Sequence, residues 1–211
     1  MPKASIILLV FGFAVIGLSM ALFVELAEDV IEKETFAIDE IIHNVMVNIG
    51  NSLFYTVMGY VTEAGSVLFI SVASVLLFIY LLLFGNKSKW VAIFFAVNMI
   101  GISGLTKVLK LYFERERPEL LEQFDGTGFS FPSGHATGSI AFYGFVIYLI
   151  IINRLKKGLK ILFITLFSLI ILAVALSRVV LSVHYFTDIV AGLALGLSWL
   201  IICIVAMKLM R

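Results

Sequence analysis

Six apolar runs, each long enough to cross a bilayer as a helix, set the limits on what this chain can fold into. A crossing needs roughly 20 predominantly apolar residues. Runs of that length lie at about residues 5–25, 64–85, 89–109, 134–153, 159–179 and 187–208. In lipid every backbone N–H and C=O must be paired within the protein, so these runs should be helical. Composition points the same way: with 62% hydrophobic and 14% charged residues in 211, too little polar surface exists to cover a water-soluble body. The expected fold is an all-α polytopic bundle of six transmembrane helices, one membrane-embedded domain over residues 1–211. The first run has a small-residue stretch at Ser19-Met20-Ala21, but its apolar part exceeds the roughly 7–15 residues of a signal-peptide core, which predicts a retained span.

Charge separates by side. Lys87 and Lys89 lie between the second and third runs, and Arg154, Lys156, Lys157 and Lys160 between the fourth and fifth; Lys3, Lys208 and Arg211 are terminal. None of those stretches holds an acid, whereas the 14 Asp and Glu fall elsewhere, chiefly in the first and third connections. By the positive-inside rule both termini and the basic loops are cytoplasmic, and the remaining loops lie outside the cytoplasmic membrane. In the first outer connection, residues 26–63, Ile31, Ile38, Ile41, Ile42 and Val45 recur among acids as in an interfacial helical segment, with a lid as the less favoured role. His43, in that segment, reads as an exposed polar residue. Cys203 is the only cysteine, which excludes an intrachain disulfide and a cysteine metal cluster. Nothing in the chain indicates a nucleic-acid surface or an obligate protein partner; the partner it implies is the bilayer.

Three short segments on the outer side carry the chemistry. Lys110 and Arg117 are seven apart, close to two helical turns, so they are expected on one face of the third span with Pro118 ending the helix. Alone, such bases could simply snorkel to the headgroups, and Glu114 could pair with Lys110. Pro132-Ser133-Gly134-His135 opens the fourth span, where a hydroxyl, backbone N–H groups and a helix dipole suit an anion, although an ordinary serine N-cap would look the same. Ser177-Arg178 precedes His184 and Asp188, four apart, so that the carboxylate can fix the imidazole tautomer and leave Nε2 as a nucleophile; the bland alternative is a helix cap. Together the segments place two histidines, one carboxylate, a lysine and two arginines on one side. His135, His184 and Asp188 could be metal ligands by type. The fixed positive charges of Lys110, Arg117 and Arg178 would repel a divalent cation and suit a phosphoryl group, so metal-free phosphoryl transfer with no cofactor is expected. Gly192 with Gly196, and Gly134 with Gly138, make small-xxx-small spacings that predict close helix packing.

Lys110-x6-Arg117-Pro118, Pro132-Ser133-Gly134-His135 and Ser177-Arg178-x5-His184-x3-Asp188 resemble, in order, the three signature motifs of the type-2 phosphatidic acid phosphatase superfamily. The whole chain is similar to its compact six-span bacterial lipid phosphatases. The resemblance implies that His184 becomes a phosphohistidine oriented by Asp188, that His135 is general acid and then base, and that Lys110, Arg117, Arg178, Ser133 and Gly134 bind the phosphate. It implies hydrolysis of a lipid phosphate or pyrophosphate: phosphatidylglycerophosphate, phosphatidic acid or undecaprenyl pyrophosphate. A lipid phosphotransferase using the same intermediate is the alternative. A transporter fits less well, because the charges cluster at the span ends rather than at mid-bilayer.

Overall fold

The computed structural model describes residues 3–33, 36–84, 89–118, 124 and 126–210. Among these, the apolar runs form helices α1 (Lys3–Ile31), α2 (Ala37–Ile49), α3 (Ser52–Glu63), α4 (Val67–Leu83), α5 (Trp90–Phe113), α6 (Gly134–Ile152), α7 (Lys157–Val180) and α8 (Phe186–Leu209). Six stretches are long and apolar enough to span a membrane, the second being α3 and α4 in succession, Ser52–Leu83. The protein is a multi-pass helical membrane protein. Of the charges that bear on sidedness, Glu34, Lys87, Glu119, Glu122, Asp125 and Arg211 lie outside the described residues.

The first connection is more structured than its pattern predicts. α1 continues to Ile31, and two helices follow rather than one. Polar caps restart the chain after each break: Asn51 Oδ1 accepts from Phe54 N at 2.9 Å to open α3, and Ser66 Oγ accepts from Phe69 N at 3.2 Å to open α4. α2 is two-sided. Ile38, Ile41, Val45 and Ile49 are exposed, while Asp39 is buried and Ile42 and Met46 pack into a cluster with Ala175, Val179 and Ile189 of α7 and α8.

α6 and α8 form the centre, half of each span lying inside the protein. α1 and α5 flank α8, α7 flanks α6, and α3 rests on α7. Buried polar groups tie the helices where no water could satisfy them: Asn98 Nδ2 donates to Ala141 O at 2.9 Å, Trp199 Nε1 to Asn98 O at 3.0 Å, and Tyr143 Oη to Ala64 O at 2.7 Å. The glycine pairs divide. A Cβ on Gly192 would lie 2.8 Å from Ser133 O, and one on Gly196 2.3 Å from Ile140, so these two seat α8 against α6 as expected. Gly134 and Gly138 have nothing within 4 Å of a built Cβ and line a cavity instead, which corrects the packing expectation for that pair. With no partner backbone against them, their lack of side chains leaves space rather than closing it.

Candidate active site

The ends of α5, α6, α7 and α8 that carry the three motifs converge. His184 sits in the turn between α7 and α8, its backbone N–H and that of Val183 both donating to Arg178 O, at 3.2 and 3.1 Å. Its Nδ1 lies 3.1 Å from Asp188 Oδ2 and its Nε2 3.0 Å from Arg117 Nη1. A guanidinium can only donate, so Nε2 must accept, and the ring proton sits on Nδ1 facing the carboxylate. Burial, followed by the nearby Arg117, Lys110 and Arg178, holds the His184 imidazole well below its ordinary pKa. The neutral ring with a lone pair on Nε2 is the form a nucleophile needs.

Asp188 acts as both cap and orienter. Its Oδ2 also accepts from Tyr185 N at 3.0 Å, one turn into α8, and its Oδ1 accepts from Arg115 Nη1 at 2.6 Å. Arg115 was not singled out by the motif reading, nor was the acid behind it. Its Nη2 meets Asp39 Oδ2 at 3.0 Å, and its guanidinium stacks 4.1 Å from the Tyr185 ring centroid. Asp39, reaching in from α2, also accepts from Thr187 N at 2.9 Å and Thr187 Oγ1 at 2.7 Å, so an acid from a distant helix caps α8. The sequence signal for Asp39 was weak: one acid among several in an amphipathic segment.

Arg117 departs from the helical expectation. α5 stops at Phe113, with Glu114 in the left-handed region at φ 49°, so Arg117 lies beyond the helix and not on a shared helix face with Lys110. Pro118 disfavours a helical residue before it. The Arg115 and Glu116 carbonyls are taken by Ser130 Oγ, at 3.2 and 3.0 Å, instead of by a helical ladder. Glu114 is exposed; Lys110 Nζ donates instead to the carbonyls of Phe129 and Ser130. Arg117 donates to Gly128 O at 2.9 Å and Val183 O at 2.6 Å, so loop carbonyls aim both cations inward rather than toward headgroups.

Ser133 is fully buried as the N-cap of α6, its Oγ 3.5 Å from Ala136 N, and its backbone N–H donates to Asp188 O at 3.1 Å, linking the second motif to the third. Arg178 is fully buried and donates to Thr62 Oγ1 at 2.8 Å. Gly65, in the turn before α4, lets that turn approach His135: its Cβ would lie 3.2 Å from the imidazole and 2.2 Å from Val174. His43 is exposed, and the first connection contributes Asp39 and Thr62 instead. No group of three or more His, Cys, Asp or Glu side chains among the described residues is placed to hold a metal ion.

A cavity of about 820 Å³ opens at this cluster, lined by Lys110, Arg117, Gly134, His135 and His184, and extends along α4 and α5 past Ser71, Ser74 and Ser103. Val67 and Ile100 also line it and are 71% and 74% exposed, so its mouth faces sideways between α4 and α5, where lipid would lie.

Phosphatidylglycerophosphatase B of Bacillus subtilis (strain 168) is 38% identical to this chain over 95 residues, covering 44% of this chain and 46% of the relative, so under half of that relative's length is matched. The crystal structure of a transmembrane PAP2 type phosphatidylglycerolphosphate phosphatase from Bacillus subtilis superposes with a TM-score of 0.79 at 26% identity, covering 92% of this chain and 97% of that one. The PAP2 superfamily itself matches residues 90–210, the stretch from α5 to α8 that contains all three motifs. That match spans more than half of the chain and includes all of the site residues except those that precede α5, such as Asp39, Thr62 and Gly65, and on it this protein belongs to the PAP2 superfamily.

Proposed function

We propose that the protein is a metal-independent lipid phosphatase that removes the terminal phosphate of a lipid phosphate or pyrophosphate at the outer face of the cytoplasmic membrane. The observation that carries this reading is the His184 pair: Nδ1 on Asp188 at 3.1 Å and Nε2, 3.0 Å from Arg117, on a cavity shared with Lys110 and His135. His184 Nε2 attacks phosphorus, exchanging its contact with Arg117 for a bond to the phosphoryl group, while the guanidinium turns to the phosphoryl oxygens. The lipid oxygen leaves with a proton from His135. Water then attacks the phosphohistidine, gives its proton to His135, and releases phosphate with His184 restored. Lys110, Arg117, Arg178 and the N-terminus of α6 at Gly134 balance the equatorial charge, and Ser133 holds that N-terminus in place.

The sideways mouth of the cavity supports a lipid over a soluble ester, since chains could remain in the bilayer. The activity named for the Bacillus subtilis matches favours phosphatidylglycerophosphate as the first substrate to try. Phosphate release by purified protein in mixed micelles tests this, with phosphatidylglycerophosphate, phosphatidic acid and undecaprenyl pyrophosphate as substrates. His184→Ala is expected to abolish release while the protein remains folded. Near-normal turnover by the folded variant would sink the mechanism.

A further inference from the structure

We infer that Lys107 forms a second anion subsite beside the scissile-phosphate site, and that the preferred lipid carries another phosphate between its terminal phosphate and its chains. This rests on the lipid-phosphatase reading above. Lys107 lines the same cavity as Lys110, Arg117 and His184, is exposed, and makes no hydrogen bond or ion pair among the described residues. Lys110 and Arg117 differ in being anchored on loop carbonyls. Three residues back along α5, about 4.5 Å of helix rise, Lys107 is displaced from Lys110 toward the interior of the span. That is the direction from which lipid chains would reach the site.

A lysine inside an apolar span is expensive and usually faces protein or a polar cavity. Snorkelling along a lipid-facing helix would account for its charge but not for its surroundings: Ser71 and Ser103 line the same cavity, and Gly104 has nothing within 4 Å of a built Cβ, so a hollow with hydroxyls adjoins it. In the mechanism proposed above, a terminal phosphate would already be held by Lys110 and Arg117, with Arg178 behind them. A further cation deeper in the span adds little for a lipid with one phosphate but matches a second one. A compact ammonium on a flexible stem suits either the phosphodiester of phosphatidylglycerophosphate or the proximal phosphate of a polyprenyl pyrophosphate.

The test compares the full-length wild type with Lys107→Gln and Lys107→Arg on three lipids in mixed micelles: phosphatidic acid, phosphatidylglycerophosphate and undecaprenyl pyrophosphate. Selectivity is read as kcat/KM on each two-phosphate lipid divided by that on phosphatidic acid. Lys107→Gln is expected to lower this ratio about tenfold, the scale of one charge-assisted contact, and Lys107→Arg to restore most of it. A fall confined to phosphatidylglycerophosphate assigns the diester as ligand, and one confined to the pyrophosphate assigns the proximal phosphate. An unchanged ratio, whether all three activities fall together or none does, overturns the subsite. A wild type inactive on every lipid overturns the phosphatase reading and this one with it. Lys107→Met, which keeps the apolar stem, repeats the comparison should the glutamine variant fail to fold.

Discussion

The Arg115 guanidinium touches two carboxylates on different helices, Asp188 at 2.6 Å and Asp39 at 3.0 Å, and neither acid has more than a sliver of exposed surface. Removing one member of such a buried group leaves the others' charge uncompensated. Asp39→Asn should therefore loosen Arg115 and, through it, the carboxylate that orients His184. The expected result is a fall in kcat of roughly 10- to 100-fold, by analogy with the partners that orient metal-bound histidines, with KM nearly unchanged because Asp39 lies outside the cavity lining. Wild-type kcat in a folded Asp39→Asn protein would make the pair a scaffold only. His184 offers a second check. Its imidazole is held well below the ordinary value of 6.5, so the folded state resists a proton that the unfolded chain accepts. Stability from this residue is present above about pH 6.5 and is lost as pH falls below it. Thermal unfolding in detergent should show His184→Gln losing less stability than wild type between pH 7 and pH 5; parallel curves would contradict the cause assigned here. The His184–Asp188 pair was legible in sequence because four residues fix their relation locally. Asp39 was not, because Thr187, which it caps, is 148 residues away and no local rule joins them.

Between α6 and α8 the approach is close because glycines of α8 carry no side chain there. Gly192 places α8 where its missing Cβ would sit 2.8 Å from Ser133 O and 3.0 Å from Ala136, so Gly192→Ala must push the second motif off the third. Overpacking of this kind costs about 1–3 kcal/mol, and here the strain falls on the segment carrying His135. Gly138 is the control, one turn into α6, with open space where its Cβ would be. Gly192→Ala is expected to lower both the unfolding temperature and phosphate release, whereas Gly138→Ala should leave the unfolding temperature equal or higher, since alanine suits a helix better by up to about 1 kcal/mol. Equal thermal effects would mean that the α6–α8 contact tolerates a methyl group. Element existence was readable from the apolar runs because each had to pair its own backbone in lipid. Their ends were less so: α5 stops at Phe113, and loop residue Ser130 takes the Arg115 and Glu116 carbonyls that a longer helix would have used. Small-xxx-small spacing did not distinguish Gly192, which meets a helix, from Gly134, which meets a cavity; that depends on which neighbour lies opposite.

At the scale of the molecule, the motif ends of α5, α6, α7 and α8 gather at one end of the bundle, and at the other Arg154 and Lys156 of the α6–α7 connection cluster with Lys157 and Lys160 of the first turn of α7. The acids Glu28, Asp29 and Glu32 lie where α1 reaches the motif end. Basic residues resist translocation, so by the positive-inside rule this division would put the α6–α7 connection in the cytoplasm and the His184 cluster outside, the sidedness proposed above. The exposed apolar stripe of α2 would then rest on the outer leaflet, holding Asp39 against α8 from the water side of the bundle. Sidedness can be read with single cysteines in a Cys203→Ser background, since Cys203 is buried. A cysteine at Glu32, exposed beyond the end of α1, is expected to react with a membrane-impermeant thiol reagent on intact protoplasts. One at Lys156, exposed before α7, should react only after lysis. The reverse pattern would place the His184 cavity on the cytoplasmic leaflet and change which lipids can reach it, while leaving the chemistry of the cluster as it stands.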